Sequence, residues 1–534
     1  MPVGCEFSLQ RPGHRTRIYA PFVTPARSRT RDLPAIVAAI GATVLGAGLG
    51  ELAAAVISPS ASPFAVIGGG MIDIAPAWAK DLAISLFGTG DKTALLVGIA
   101  VLLLAVAGAA GALEGRRPPW GRVVLAAVGV VGAFVSLVRP DAGLLSPVPS
   151  LVAGAAAALV AGLLIGRLRR DPGPAETAAG PSRRTVLALS GVAVLAGALA
   201  AAGSVALSSG ARAVSAVRSA LRLPTPTTTT TVPATANLGI DGLSPVITPA
   251  AEFYRIDTAL VVPQVDPATW SLRVHGLVEQ EVVLRWDDLV ALPQKETVAT
   301  LVCVSNEVGG DLIGNARWLG VPIRDILARA KPTAEADMVL SHSVDGFTAS
   351  TPLEALTDDR DALLAIGMNG EPLPLEHGFP VRMVVPGLYG YVSATKWVSE
   401  LEVTRYDRAE GYWTSRGWSE RGPVKLQSRI DVPRSGARIP EGDAVIAGVA
   451  WQTHVGVSGV EVQVDDGPWQ PAKLATAIST DTWVQWSLPW TATSGSHTVR
   501  CRAISATGET QTSNQAPPAP DGATGWDDLT VSVA

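Results

Sequence analysis

Cysteine is scarce: three residues in 534, at Cys5, Cys303 and Cys501. Their spacing excludes a disulfide framework and the paired pattern of a zinc site. Folded parts of the chain must therefore be held by their cores. Net charge is only -5, which excludes the charge argument for nucleic acid or any strongly charged partner. Histidine is also rare, with six: His14, His275, His342, His377, His454 and His497. None lies in a long apolar run, and neither does a cysteine. Those runs therefore lack the axial pair of a bis-histidine haem. Glu51 is nearly the sole ionisable residue within them, unlike the pathway of a transporter.

What the chain has in abundance is apolar surface. Hydrophobic residues make up 48% and mean hydropathy is +0.30, with the excess near the N-terminus. Residues 1–32 are polar and basic, carrying Arg11, Arg15, Arg17, Arg27, Arg29 and Arg31. Five apolar stretches follow, at about 33–57, 92–113, 122–138, 150–166 and 185–207. Each approaches the roughly 20 residues that cross a hydrocarbon core. Their Gly and Ala content suits close helix contact in lipid. We expect an all-α transmembrane anchor of five helices over 33–207.

Arginines cluster before the first stretch, between the second and third (Arg116, Arg117, Arg122), and between the fourth and fifth (Arg167, Arg169, Arg170, Arg183, Arg184). The positive-inside rule then places 1–32 in the cytoplasm. After five crossings, everything beyond Leu207 lies outside it, in a multi-pass cell-membrane protein. Segment 71–87, with Trp78 and Lys80, reads either as an interfacial helix or as a plain loop. Ser182-Arg183-Arg184 at the head of the fifth stretch is similar to a twin-arginine export signal; an ordinary charged anchor reads equally well. Residues 208–240, with Pro224 and Pro233 bracketing a threonine tract, predict a Pro/Thr-rich linker, an extended tether.

From 241 the composition is globular. Trp270–Leu277 and Val282–Leu284 alternate like strands, while Asp287–Leu292 and Val321–Ala330 read as short helices. This predicts an α+β domain over 241–423. Beyond 424 the pattern is all-β, at Val445–Trp451, Val460–Val464, Trp483–Leu488 and His497–Ala503, as in a small β-sandwich. Cys501 falls in one of these strands and reads as core.

Cys303 is different. It follows a short apolar run in Thr300–Leu327 and precedes Gly309-Gly310 and Gly314-Asn315, which allow tight turning. A thiol at a strand end beside a rigid loop suits a soft-metal ligand or a nucleophile; a buried structural cysteine is the plain alternative.

The stretch resembles the molybdenum-ligand loop of the sulfite oxidase family of molybdopterin enzymes. The likeness extends in order from about Ala251 to the C-terminus. It includes Glu252-Phe253-Tyr254-Arg255, Val261-Val262-Pro263, Trp318-Leu319-Gly320-Val321-Pro322, Met368-Asn369-Gly370-Glu371-Pro372, His377-Gly378-Phe379-Pro380-Val381-Arg382, Val384-Val385-Pro386-Gly387 and Lys396-Trp397. The resemblance implies a sulfite oxidase-type fold, a Mo-molybdopterin cofactor, and an immunoglobulin-like dimerisation domain over 424–534, hence a homodimer. It implies Cys303 as the metal's thiolate. It implies His377, Arg382 and Lys396 as pterin and phosphate contacts, with Arg255 from the entry segment and Tyr254 and Asp257 beside it. Asp345 matches a pterin-contacting aspartate, and Ser393 and Thr395 flank Lys396 as candidate donors.

There are departures. The family's arginine pair after the ligand cysteine is replaced by Glu307 and Val308. Trp418 stands where the family has a tyrosine. No arginine is evident in Pro520–Trp526. A small dianion needs converging cations to offset its desolvation. Arg416 and Arg421 remain as cations from another direction. The reading is a membrane-anchored, extracytoplasmic oxygen-atom-transfer enzyme for a small-molecule substrate, an S-oxide, an N-oxide or sulfite. Cys303, Trp418 and Arg255 are its candidate catalytic residues. It needs a separate electron-transfer partner or a quinone, and no haem is expected in this chain. A catalytically silent binding protein on the same fold is the alternative.

Overall fold

The computed structural model describes residues 32–75, 86–87, 90–139, 142–169, 183–207 and 209–534. The basic N-terminus with Cys5, Trp78 and Lys80 of the expected interfacial segment, and Ser182 lie outside the described residues.

The apolar half of the chain is helical: α1 (Leu33–Ile57), α2 (Pro63–Ile74), α3 (Asp91–Arg116), α4 (Trp120–Val138), α5 (Val148–Arg169) and α6 (Arg183–Leu207). All but α2 are long and apolar enough to cross a membrane, and they fall on the five predicted stretches. Helix α1 packs against α3, α5 and α6. Glycine sets that approach: a Cβ on Gly48 would lie 2.9 Å from the Gly197 Cα, and one on Gly129 2.7 Å from the Gly154 Cα. Backbones thus touch directly, which matters where lipid tails are as apolar as side chains and only close packing favours association. Gly41 meets Ser190 and Gly48 meets Gly197, so α1 and α6 run in the same direction. Gly46 meets Ala157 and Gly50 meets Pro149, so α5 runs against α1.

Helix α2 has no counterpart among the predicted elements. Phe64, near its start, shares a cavity of about 60 Å³ with Thr43, Leu103, Val128 and Gly129, deep between the long helices. Its other end reaches Arg139, just past α4. Ser62 caps it, accepting from the Ala65 N–H at 3.2 Å and donating to Glu51 at 2.7 Å. The ionisable residue of α1 therefore has a partner.

Helix α7 (Ser209–Ala220) follows, then β1 (Thr228–Thr229), β2 (Ser271–Gly276), β3 (Val282–Arg285), α8 (Trp286–Val290), β4 (Lys295–Val302), β5 (Ile313–Pro322), α9 (Ile323–Ala330), β6 (Met338–Ser343), β7 (Thr348–Pro352), α10 (Leu353–Thr357), β8 (Leu363–Met368), β9 (Glu371–Pro372), β10 (Arg382–Val384) and β11 (Val398–Thr404). One sheet runs β1-β4-β5-β8-β10, with β9 on β8; a second runs β3-β2-β11-β6-β7. Strand β4 pairs along its whole length with β5 and is buried from Thr297 to Val302. Central strands covered on both faces read as unbroken apolar runs, not alternations.

The remaining strands are β12 (Gln427–Val432), β13 (Arg438–Ile439), β14 (Gly442–Trp451), β15 (Val457–Val464), β16 (Gln470–Pro471), β17 (Lys473–Leu474), β18 (Val484–Ala492), β19 (Gly495–Ser505) and β20 (Asp527–Val533). Their two sheets, β12-β14-β18-β17 and β13-β20-β19-β15-β16, share one core around Val462, Trp486 and Val499. Cys501 sits in that core, its Sγ donating to Ser428 Oγ at 3.3 Å.

The free tether expected over 208–240 is corrected. Its first part is helix α7, where Arg218 donates to the carbonyls of Leu373 and Pro372 at 2.7 Å. The threonine tract is extended, but Thr228–Thr229 pairs in parallel with Lys295–Glu296 of β4. Proline and threonine favour extended backbone, and an extended strand beside an open sheet edge completes its hydrogen bonds there.

Replacing Gly48 with Leu should separate α1 from α6 and destabilise the detergent-solubilised protein by about 1–3 kcal/mol or more. Gly98→Ala, where nothing lies within 4 Å, should melt like the parent. Thermal melting of the two variants side by side checks this.

Candidate functional site

Cys303 ends β4. Its N–H donates to Leu312 O at 2.9 Å, and its carbonyl accepts from the Asn306 N–H at 3.0 Å. Asn306 Oδ1 in turn accepts from the Leu312 N–H at 2.8 Å, closing the turn. Gly309 has φ +73°, and a Cβ there would strike the Asp527 carboxylate; only glycine satisfies both conditions. Cys303 is 8% exposed. Burial pushes its thiol up, and hydrogen bonds from Ser305 pull it back.

Tyr254 follows Phe253 in the entry segment. Its ring stacks on Phe253 at 5.2 Å. Its phenol feels both the Cys303 sulfur and the Arg382 guanidinium, and burial above all raises its pKa. Phe253 meets His377 edge-on at 5.6 Å and Trp318 at 5.7 Å.

His377 closes a short 3-10 turn, Leu375–His377, and Gly378 follows with φ +108°. A Cβ on Gly378 would press on the Cβ atoms of Arg382 and Lys396 at 3.0 and 3.1 Å. That bare position lets the three basic residues converge. His377 Nε2 donates to Ala250 O at 3.1 Å. Burial, with Arg382 and Lys396 nearby, lowers its pKa to about 4, so it is neutral at pH 7. Arg382 is 5% exposed and, among the described residues, has no carboxylate partner. It donates to the carbonyls of His377 (3.2 Å), Met383 (3.3 Å) and Ala394 (3.4 Å), and lies 5.1 Å from the Trp318 ring centre. Burial lowers it to about 10, which leaves it charged.

Lys396 Nζ donates to Asp257 Oδ2 at 2.8 Å and to Glu376 O at 3.0 Å. Burial lowers it to about 8, against the pull of Asp257. Asp257 also accepts from Arg255 Nε at 2.9 Å and from Lys92 Nζ at 2.7 Å. Burial alone would raise Asp257, but Lys396 and Lys92 hold it well below the usual carboxylate range. Asp345 joins the same seam, accepting from Thr258 Oγ1 and from the Phe347 N–H, both at 3.2 Å.

Two candidate donors turn inward. Ser393 and Thr395 are fully buried. Ser393 Oγ donates to Tyr389 O at 2.9 Å, and Thr395 Oγ1 shares a hydrogen bond with Ser341 Oγ at 2.7 Å. Both brace the loop that carries Lys396, and their hydroxyls already have protein partners. Trp418 is half-buried and packs on Tyr391 at 5.9 Å and Trp413 at 6.3 Å. Arg416 lies 3.6 Å from the Tyr412 ring centre and donates to Tyr412 O at 2.7 Å. Arg421 sits by Glu354 at 3.6 Å. Both spare cations are thus engaged elsewhere, and Glu307 is exposed.

Sequence reasoning missed Asp521 and the paired tyrosines. The loop before β20 reaches Tyr389: a Cβ on Gly522 would be 2.5 Å from its hydroxyl. Burial pushes Tyr389 up to about 12, with Asp521 and Cys303 adding to it; Tyr391 is raised by burial and by Asp521 too. Lys425 Nζ donates to Asp521 at 2.8 Å. Among the described residues, no three His, Cys, Asp or Glu side chains converge as a metal-ligand set. One thiolate suits a metal that brings its own chelate.

The chain is similar to known proteins over this region. Residues 259–413 match the family model described as an oxidoreductase molybdopterin binding domain. The chain is 34% identical to human mitochondrial sulfite oxidase over 271 residues, 43% of this chain and 49% of that protein. It is 37% identical over 157 residues to the uncharacterized oxidoreductase YuiH of Bacillus subtilis, 29% of this chain and 76% of that protein. The chain spans about half the length of the mammalian sulfite oxidases it matches. The crystal structure of the sulfane dehydrogenase SoxCD from Paracoccus pantotrophus aligns with a TM-score of 0.48 and 24% identity, over 54% of this chain and 84% of that one.

An unfolded histidine protonates near pH 6.5, whereas folded His377 resists until about pH 4. Between those values the unfolded chain binds the extra proton, so stability falls as pH drops through that window. Melting of the cofactor-free protein from pH 7 to 4 should show this slope, and His377→Asn should flatten it.

Proposed function

Because the chain belongs to the sulfite oxidase-type family of molybdopterin oxidoreductases, we propose that it is a membrane-anchored, extracytoplasmic enzyme that reduces a small uncharged S-oxide or N-oxide at a molybdenum held by Cys303. One observation carries the reading. A buried thiol and a buried group of basic residues, with Arg382 lacking a carboxylate partner among the described residues, flank the Phe253–Tyr254 segment. Such cations are costly to desolvate unless an anion meets them. The pterin's phosphate-bearing end is such an anion, and its dithiolene leaves room for a single protein thiolate.

Cys303 would hold the metal; coordination deprotonates a thiol outright, so the raised pKa of the free side chain is no obstacle. Arg382, Lys396 and neutral His377 would hold the pterin end, the guanidinium as a fork and the ammonium as a point charge. Arg255 and Asp345 close the flank from the segment beside them. Bound there, the cofactor supplies two-electron oxygen-atom transfer. The chain's own work is to orient it, exclude water and shape the entrance. Ser393 and Thr395 serve as braces of the Lys396 loop.

The entrance bears on substrate. Asp521 stands near Tyr389 and Tyr391, Arg416 is committed to Tyr412, and Glu307 follows the thiol. With Arg416 committed to Tyr412 and Lys425 to Asp521, a dianion entering there would find these cations already paired, whereas a neutral sulfoxide would meet aromatic faces and phenol donors. Trp418 lines this aromatic wall. The two-sheet unit over 424–534 is proposed as the immunoglobulin-like dimerisation domain. Electrons would come from a separate carrier or a quinone.

Metal analysis tests the ligand. The parent should carry about one molybdenum per chain, one thiolate serving one metal, and Cys303→Ser should lose it; full loading of that variant removes Cys303 from the role. Methionine sulfoxide with a reduced viologen should then turn over faster than sulfite with an artificial acceptor. The reverse order would make the enzyme a sulfite dehydrogenase.

A further inference from the structure

Lys92 stands at the start of α3, one of the apolar helices, yet its ammonium reaches into the catalytic half of the chain. It donates to Asp257 Oδ1 at 2.7 Å and to Ala259 O at 2.8 Å. Next to Ala259, Leu260 packs against α2, where a Cβ on Gly68 would be 2.7 Å from its side chain. Segment 255–260 is therefore clipped between the helical bundle and the site.

Cations gather at this seam. Asp257, with its side chain 3% exposed, faces Lys92, Arg255 and Lys396 together. Arg382 adds to the positive field at Lys396 and is itself met only by carbonyls among the described residues. Buried cations held that way are what a phosphate dianion would meet.

We propose that the anchor completes the cofactor cradle: Lys92 is a positioning residue that fixes Asp257, and through it Arg255 and Lys396, for the phosphate end of the pterin. This rests on the cofactor assignment above. Lys92 makes docking of the catalytic half on the helices and retention of the cofactor a single coupled event. Binding the phosphate tightens the seam, and a seated seam holds the phosphate.

The test uses the full chain in detergent. Molybdenum and released pterin per chain are followed during dialysis. Lys92→Gln should lose pterin about tenfold faster, the worth of one charge-assisted hydrogen bond, and Lys92→Arg should restore retention. Inorganic phosphate should raise the melting temperature of the cofactor-free parent more than that of cofactor-free Lys92→Gln, a difference that a merely structural lysine would not produce. Acetylation of the unmutated protein, read by mass spectrometry, adds a measurement free of any folding defect: Lys92 should be protected when pterin is bound. Equal pterin retention in Lys92→Gln, or equal labelling of Lys92 with and without pterin, overturns the inference and leaves the cofactor assignment standing. A parent that holds neither molybdenum nor pterin overturns both.

Discussion

Arg382 is the constraint around which the catalytic half is arranged. A guanidinium this deeply buried normally needs a carboxylate, and here it has three carbonyls at 3.2 to 3.4 Å and the face of Trp318. None of those partners neutralises it. Burial weakens its hold on the proton only to about 10, so it stays charged. The fold accepts that cost by rigidity. Arg382 sits on β10, hydrogen-bonded to β8, and Gly378 leaves the gap through which His377 and Lys396 come alongside. Phe253 meets the His377 ring edge-on and stacks on Tyr254, which extends the aromatic side of this group.

Much of this was legible in the residues. Long apolar runs announce their helices because crossing lipid demands length, and all five appear where the composition places them. Strands with alternating faces, such as β2 and β19, are equally readable. Cys303, His377, Arg382 and Lys396 fall in the motifs that carry the family resemblance, and it is that resemblance which implies a shared site. What escaped was set by contacts across the chain. Asp521 nears Tyr389 through a loop that carries no local signature. Lys92 and Asp257 are 165 residues apart. Ser393 and Thr395 look like donors in sequence, but their direction depends on Tyr389 and Ser341. Helix α2 is 12 residues long with three consecutive glycines, too short to register as a crossing.

The two halves hold together by different physics. The bundle packs glycine against backbone, the packing suited to helices in lipid, which offers no hydrophobic reward for burying one apolar surface on another. The β-rich half buries large side chains in the ordinary way, with Trp318, Trp397, Trp451 and Trp486 almost wholly enclosed. Charge belongs to the seam between them. There Lys92 from the bundle and Arg255, Asp257 and Lys396 from the other side meet in one network.

The threonine tract that lies along β4 changes how a redox partner can reach the site. A loose leash would let the catalytic half sweep a volume above the bilayer and raise its effective concentration towards many carriers. A strap hydrogen-bonded to Lys295 and Glu296, with Arg218 pinned at its root, fixes stand-off and heading instead. With the long helices in a bilayer, as proposed, each copy would present the site at a set distance from it, and encounter with the proposed carrier would depend on the carrier's own diffusion.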